Sequence, residues 1–235
     1  MELLKHLSQR QYIDGEWVES TNKNTRDIIN PYNQEVIFTV SEGTKEDAER
    51  AILAARRAFE SGEWSQETAE KRGKKVRAIA DKIKEHREAL ARLETLDTGK
   101  TLEESYADMD DIHNVFMYFA GLADKDGGEM IDSPIPDTES KIVKEPVGVV
   151  TQITPWNYPL LQASWKIAPA LATGCSLVMK PSEITPLTTI RVFELMEEVG
   201  FPKGTINLIL GAGSEVGDVM SGHKEVDLVS FTGGI

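Results

Sequence analysis

The stretch that decides the fold runs from residue 147 to residue 183 and reads VGVVTQITPWNYPLLQASWKIAPALATGCSLVMKPSE. It contains two short, nearly continuous apolar runs, Val147–Ile153 and Ser176–Met179, which flank a helical segment. Such runs are typical of parallel strands whose two faces are both covered. The stretch therefore predicts a strand–helix–strand unit with a right-handed crossover.

The same alternation continues toward the carboxyl end of the sequence. Two further apolar runs, Ile206–Leu210 and Val226–Phe231, each follow a helical segment. Four strands that alternate with helices predict an α/β fold with a doubly wound, Rossmann-like parallel sheet. Ligands of such sheets bind beyond the carboxyl ends of the strands, so the loops that follow the strands are the expected functional site.

The residues before this sheet are predicted to form hairpins and then helices. Asp14-Gly15 separates two short apolar runs, which is a hairpin signal, and residues 28–38 repeat that plan with a longer turn. Thr44 can cap a helix, and apolar periodicity then continues with an interruption as far as Gly99. A further helix is expected over residues 101–123.

The composition is that of an acidic globular protein. The 235 residues include 26 Lys and Arg against 39 Asp and Glu, a formal net charge of −13. Binding to nucleic acid or to an anionic membrane surface needs a concentrated positive field, so neither partner is expected. The best membrane candidate, Leu160–Met179, is broken by polar residues, a proline and a glycine. With one cysteine and no signal-peptide pattern, a soluble, cytoplasmic protein is predicted.

The loops after the four strands carry an unusual set of small and polar residues. They are TPWNYP at 154–159, KPSE at 180–183, GAGSEVG at 211–217 and FTGG at 231–234. The GxGxxxG pattern alone is also common in tight turns, but four such loops in strand order are far more specific. Together they resemble the loops of the NAD(P)-dependent aldehyde dehydrogenase superfamily, and within it the betaine aldehyde subgroup. The resemblance covers essentially the whole chain.

This resemblance implies an aldehyde dehydrogenase-like fold, truncated to its amino-terminal half. Residues 1–127 would form hairpins and helices of the cofactor-binding domain, residues 128–147 a connector and oligomerisation arm, and residues 148–235 the Rossmann-like dinucleotide-binding portion. The parent enzyme, a homo-tetramer or dimer, would oxidise betaine aldehyde to glycine betaine through a cysteine thiohemiacetal and a thioester. Another aldehyde such as a semialdehyde, or a noncatalytic nucleotide-binding module, are the alternatives.

The nucleophilic cysteine and the general-base glutamate of the family are expected after the fourth strand. The catalytic domain would then be absent, and the isolated chain is expected to be inactive and prone to aggregation. Cys175 opens an apolar strand and is expected to be a buried structural thiol instead.

NAD is the cofactor that the resemblance implies, with NADP less favoured. Lys180 can donate to ribose hydroxyls, whereas Glu183 can accept from the 2′-hydroxyl and repels a 2′-phosphate. An exposed Lys–Glu pair on a turn is the alternative. Relatives often carry a serine at Gly234, so a hydroxyl contact to the pyrophosphate is in doubt here. The expected cofactor-binding set is Ile153, Thr154, Pro155, Trp156, Lys180, Pro181, Ser182, Glu183, Gly211, Gly213, Gly217 and Gly234.

The expected catalytic and substrate-binding residues follow the first strand. By resemblance, the Asn157 amide stabilises an oxyanion and Lys166 belongs to a proton relay; partial desolvation would lower the pKa of this lysine. A turn-forming asparagine and a snorkelling surface lysine are the alternatives. Tyr158 and Trp165 are expected to hold a quaternary ammonium group on their ring faces, with core packing as the alternative.

A potassium ion is also implied by the resemblance. Its ligands would be backbone carbonyls of Ile28, Ile29 and Ile184 and the carboxylate of Asp97. Asp97 is equally consistent with a carboxylate at a helix end.

Overall fold

A computed structural model of the chain describes residues 4–125 and 127–234. Within these ranges, helices cover both faces of a central sheet. The strands are β1 (Gln11–Ile13), β2 (Glu16–Val18), β3 (Thr25–Ile29), β4 (Val36–Ser41), β5 (Glu129–Ile131), β6 (Ser140–Ile142), β7 (Val149–Ile153), β8 (Ser176–Lys180), β9 (Ile206–Leu208) and β10 (Leu228–Phe231). The α-helices are α1 (Lys45–Ser61), α2 (Ala69–Glu85), α3 (Arg87–Thr98), α4 (Leu102–Leu122), α5 (Pro159–Thr173), α6 (Leu187–Val199) and α7 (Asp218–Gly222).

The central sheet has the strand order β10-β7-β8-β9-β1-β2. Strands β7, β8 and β9 follow one another in parallel, and the chain then crosses back to pair β10 with the other side of β7. This reversal defines a doubly wound sheet, and the crevice at the reversal is where ligands of such sheets bind. The predicted α/β fold class is confirmed.

The first hairpin extends this sheet, which the sequence did not indicate. Tyr12 of β1 pairs antiparallel with Leu208 of β9, so the sheet is mixed and not purely parallel. The side chain of Asn207 fixes the turn, because its Oδ1 accepts the backbone N–H of Asp14 at 3.0 Å. The hairpin supplies partners for backbone groups that the edge of β9 would otherwise expose.

The two faces of the sheet pack against different sets of helices. Leu177 and Met179 of β8 belong to the core formed with α2 to α6, whereas Val178 between them packs with α1 on the opposite face. This alternation follows from the two-residue period of a strand. Helix α1 begins with the predicted cap, since Thr44 and Asp47 form a reciprocal capping box.

Three of the predicted strands were two residues too long at one end. β7 begins at Val149, because Gly148 adopts a φ of +128° and the Val149 N–H donates to the side chain of Asp227 at 2.7 Å. β10 begins directly after that aspartate. β9 ends at Leu208, since the Leu210 N–H donates to a glutamine side chain in β1. β8 is one residue longer than predicted and ends at Lys180.

The predicted connector contains a small ribbon of its own. β5 and β6 pair antiparallel and form a sheet separate from the central one. Several of its apolar side chains are exposed, with Met130 at 65% and Val143 just after β6 at 73%. Of the helices in the described residues, none combines the length and the apolar character needed to cross a bilayer.

Candidate functional site

Hydrogen bonds join the loops after β7, β8 and β10 at the carboxyl edge of the sheet. The Thr154 N–H donates to the Lys180 carbonyl at 3.1 Å, and the Thr232 N–H donates to the Ile153 carbonyl at 3.0 Å. Farther out, the Thr185 hydroxyl lies 3.4 Å from the Trp156 carbonyl. Three of the four loops that the sequence singled out therefore lie side by side, as expected for neighbouring parallel strands.

Lys180 and Glu183 form an ion pair at the end of β8. Lys180 Nζ lies 3.1 Å from Glu183 Oε2 and 3.0 Å from the Pro181 carbonyl oxygen. The lysine side chain is 2% exposed and the glutamate 33%, so the alternative of an exposed pair is wrong for Lys180. The carboxylate is thus the more open of the two groups to a ligand approaching from solvent.

The environment shifts the pKa of both groups. Burial lowers the pKa of Lys180, against the attraction of Glu183. Burial acts to raise the pKa of Glu183, but the hydrogen bond from its own backbone N–H and the charge of Lys180 outweigh burial, so this pKa lies below its ordinary value. The glutamate is therefore a charged acceptor at neutral pH.

The glycines after β9 and β10 differ in how closely other atoms approach them. Gly211 has a φ of +144°, and a Cβ there would lie 3.0 Å from the Gly43 carbonyl oxygen. Gly217 ends a single π-helical turn, and its Cβ would lie 4.0 Å from Ile153 at the end of β7. Around Gly213 and Gly234, by contrast, the described residues place no heavy atom within 4 Å of a Cβ position, the glycine itself and its chain neighbours apart. These two glycines leave open space at the site.

The segment between β7 and α5 contains polar groups that have no hydrogen-bond partner among the described residues. Trp156 is 59% exposed, and the Asn157 side chain has no hydrogen-bond partner among the described residues. The Thr154 hydroxyl is buried and also lacks a partner. Pro159 begins α5, whose first backbone N–H groups point toward this segment. The Asn157 amide is therefore free to donate to a ligand.

Lys166 of α5 reaches across to the end of β10. Its Nζ lies 2.7 Å from Thr232 Oγ1 and 3.2 Å from Ser230 Oγ. Burial lowers the pKa of Lys166, which confirms the predicted desolvation. The sequence analysis missed both hydroxyls, although Ser230 in the predicted fourth strand and Thr232 directly after it are two residues apart, a spacing that places them on the same face.

The two expected substrate aromatics are exposed, so core packing is wrong for both. Tyr158 is 41% and Trp165 51% exposed. The Lys100 ammonium lies over the Tyr158 ring, 4.2 Å from its centroid, and is itself paired with Asp108. One face of the Tyr158 ring is thus already occupied by a cation.

Trp165 borders a cleft between α4 and α5. Asp111 and apolar side chains of both helices complete this cleft, which is lined by Asp111, Asn114, Val115, Tyr118, Phe119, Leu161 and Trp165. Tyr158 is not part of that lining, and the described residues include no ring contact between Tyr158 and Trp165. The structure therefore does not bring the two aromatics together in one box.

Asp97 is buried near the end of α3. Its Oδ2 accepts the N–H of Leu187, the first residue of α6, at 2.9 Å, while Oδ1 is buried with no partner. Burial raises the pKa of Asp97 well above its ordinary value. A Cβ on Gly99 would lie 2.8 Å from Pro31, so the turn after Ile28 and Ile29 adjoins this helix end.

Cys175 is 3% exposed, which confirms the expected buried thiol. Residues 4–125 and 127–234 contain no group of three or more His, Cys, Asp or Glu side chains that could hold a metal ion. A cation beside Asp97 would therefore depend mainly on backbone carbonyls.

The reversal of strand order and the Lys180–Glu183 pair at its edge define an α/β protein with a doubly wound sheet. The chain belongs to the aldehyde dehydrogenase family, whose model matches residues 17–235. It is 68% identical over 229 residues to betaine aldehyde dehydrogenase of Bacillus subtilis, an alignment that covers 97% of this chain and 47% of that protein. It is 45% identical over 235 residues to the peroxisomal aminoaldehyde dehydrogenase 1 of Pisum sativum, covering 97% of this chain and 46% of that protein.

A solved structure of betaine aldehyde dehydrogenase from Staphylococcus aureus in complex with NAD+ matches with a TM-score of 0.99 and 99% identity, over 100% of this chain and 46% of that one. The chain thus spans about half the length of the relatives that it matches.

Proposed function

We propose that this chain is the cofactor-binding half of an NAD-dependent aldehyde dehydrogenase that oxidises betaine aldehyde to glycine betaine. The observation that carries the proposal is the Lys180–Glu183 pair, with Nζ and Oε2 3.1 Å apart, beside the loops from β7 and β9. Two relatives support it, since the Bacillus subtilis protein is named for betaine aldehyde and the Staphylococcus aureus structure holds NAD+.

The residues at the sheet edge fit a dinucleotide. Glu183 can accept from a ribose 2′-hydroxyl and repels a 2′-phosphate, so NAD is favoured over NADP. Gly213 and Gly234 leave room where a side chain would fill it. Ile153, Pro155, Trp156, Pro181, Ser182, Gly211 and Gly217 complete the proposed site. NAD supplies the hydride acceptor when it is bound.

Two side chains of this chain act on the aldehyde. The Asn157 amide donates a hydrogen bond to the aldehyde oxygen as negative charge develops there, an interaction that strengthens in the transition state. Lys166 holds a proton that a relay can draw on, and its ammonium donates a hydrogen bond to the Thr232 hydroxyl, which lies 2.7 Å away. Because Cys175 is buried in the core, the covalent step is assigned to no residue of this chain.

The cleft beside Trp165 suits a quaternary ammonium group. Such a group cannot donate a hydrogen bond, so it is held by ring faces and by a nearby carboxylate, here Asp111. A semialdehyde carboxylate would instead need an unpaired cation, and Lys100 beside Tyr158 is already paired with Asp108.

Kinetics of the full-length protein with NAD+ test this assignment. We expect kcat/KM for betaine aldehyde to exceed that for the uncharged isostere 3,3-dimethylbutanal about 30-fold, since a desolvated cation–π contact contributes about 2 kcal/mol. Trp165→Leu should remove most of this preference. Tyr32→Leu, which removes a more exposed aromatic on the β3–β4 turn, should leave it unchanged. Equal efficiencies for the two aldehydes in the unaltered protein contradict the proposed substrate.

The unpartnered Asp97 Oδ1 supports a potassium site with the carbonyls of Ile28, Ile29 and Ile184. A bound cation stabilises the folded state by mass action. The thermal midpoint should therefore be higher in KCl than in choline chloride at equal ionic strength, and Asp97→Asn should abolish that difference. The same salt-dependent difference in the variant rules out a role for Asp97.

The remaining assignments follow the family. Residues 128–147 form the oligomerisation arm of a dimer or tetramer, which is supported by the exposed Met130 and Val143. Residues 1–127 and 148–235 together build the cofactor-binding domain. A cytoplasmic location is supported by the lone, buried cysteine.

A further inference from the structure

An ion pair on the separate β3–β4 hairpin lies next to the proposed adenosine site. Arg26 of β3 and Glu42, which follows β4, make a two-pronged contact, with Nε to Oε2 at 2.5 Å and Nη2 to Oε1 at 2.7 Å. Their side chains are 35% and 20% exposed. A guanidinium bound in this fork geometry has its best donors committed to the carboxylate.

This pair packs against the loop after β8. Arg26 and Glu42 border a narrow gap together with Ser182, Glu183 and Gly211. Glu42 also accepts the N–H of Ala212 in the glycine-rich loop, with Oε1 3.1 Å from the nitrogen. The hairpin is therefore attached to the loops from β8 and β9.

The four charged groups act on one another. The Arg26 guanidinium is one of the charges that hold the pKa of Glu183 below its ordinary value. Glu42 partly opposes the lowering of the Lys180 pKa by burial. Arg26 is consequently close enough to Glu183 to attract a ligand phosphate that lies beside that carboxylate.

We infer that Glu42 is a positioning residue for cofactor selectivity: by engaging Arg26, it withholds from a ribose 2′-phosphate the guanidinium that borders the loop carrying Glu183. This inference rests on the proposed nucleotide site. Rejection of a 2′-phosphate then has two parts, which are direct repulsion by Glu183 and the absence of an available cation. The guanidinium of arginine matches the geometry of a phosphate better than any other side chain. Releasing Arg26 from Glu42 should therefore supply the missing cation.

Space for a phosphate exists on the outer side of the pair. Arg26 and Glu42 also line an open cleft whose other lining residues are Lys23, Asn24 and Thr25. All three are polar and exposed, and one is a cation. A guanidinium released from Glu42 can turn into this open cleft and meet a phosphate there.

Calorimetric titration with two half-ligands tests the inference without any turnover. Adenosine 2′,5′-bisphosphate carries the 2′-phosphate, and ADP has a free 2′-hydroxyl. Glu42→Gln keeps an oxygen acceptor for the Ala212 N–H but loses the charge that holds Arg26. Glu35→Gln, on the exposed β3–β4 turn, removes the same charge elsewhere on the hairpin. Arg26→Met combined with Glu42→Gln removes the released cation as well.

Glu42→Gln should tighten binding of the 2′-phosphate ligand about tenfold relative to ADP, the worth of one good hydrogen bond to a charged group. Glu35→Gln should leave the ratio unchanged, and the double variant should return it to that of the unaltered protein. An unchanged ratio in Glu42→Gln, or a gain that persists in the double variant, overturns the inference. Failure of the unaltered protein to bind ADP instead contradicts the proposed nucleotide site itself.

Discussion

Lys166 Nζ and Thr232 Oγ1 lie 2.7 Å apart, which ties the helix after β7 to the end of β10. Because β10 is the strand placed on the far side of β7 by the crossover, this contact spans the point where the strand order reverses. The hydroxyl accepts a hydrogen bond from the ammonium and so favours its charged form, while burial opposes that form. The hydrogen bond and burial therefore shift the pKa of Lys166 in opposite directions.

Thr232→Val should lower the pKa of Lys166 further, since it removes one acceptor and leaves the burial. NMR titration of the lysine side-chain nitrogens, with Lys166→Arg to assign the signal, measures this pKa. Thr173→Val, at the exposed end of the same helix, is the matched control. A Lys166 pKa that is the same in Thr232→Val and in the unaltered protein would show that the hydroxyl has no influence on the proton.

Asn157→Ala should reduce kcat of the full-length protein about 100-fold, because one oxyanion donor typically supplies about 3 kcal/mol of transition-state stabilisation. The thermal midpoint should stay the same, since the exposed amide has no partner among the described residues to lose. NAD+ affinity serves as the control and should not change. Normal turnover in the variant excludes the oxyanion role.

Glu94 of α3 should make stability depend on pH. It is fully buried, accepts from the Thr188 hydroxyl at 2.6 Å, and lies 3.8 Å from the Lys100 ammonium. Burial raises its pKa from 4.5 to about 7. Between pH 4.5 and about pH 7, Glu94 of the folded protein holds a proton that the unfolded chain has released. The free energy of unfolding therefore falls as the pH rises through this range.

Glu94→Gln removes this titration and keeps an acceptor for Thr188. Relative to the unaltered protein, the variant should gain roughly 2 kcal/mol between pH 5 and pH 8, measured by urea unfolding at both values. Glu103→Gln, an exposed glutamate in the first turn of α4, should show no such gain. A stability difference for Glu94→Gln that does not change with pH contradicts the account of a raised pKa.

Much of the fold could be predicted because its signals are local. The capping box at Thr44, the Asp14-Gly15 turn and the four apolar runs each lie within a few residues of sequence. The pairing of Tyr12 with Leu208 could not be predicted in this way, because it depends on which sheet edge remains open after the fold has formed. The same reason explains why β9 was predicted to be too long, because Leu210, two residues after the strand, donates a hydrogen bond to a side chain of the hairpin.

The residues of the candidate site also form two groups, one that local sequence predicts and one that depends on tertiary packing. Lys180, Glu183 and Asn157 directly follow predicted strands, so sheet geometry alone brings them to one edge. Arg26, Glu42 and Lys100 reach their partners only through tertiary packing, and nothing in their sequence neighbourhood points to an ion pair or to a cation over a tyrosine ring. The role of Gly234 stays a prediction.

Titration of NAD+ into the protein by calorimetry tests most directly whether the strand ends hold a dinucleotide. The measurement compares the unaltered protein with Lys180→Met and with Lys203→Met, whose side chain is 74% exposed in the unaltered protein, far more than Lys180. The account predicts one NAD+ per chain, the same affinity in Lys203→Met, and binding about tenfold weaker in a folded Lys180→Met protein. Equal NAD+ affinity in all three proteins, or no binding by the unaltered protein, would contradict it.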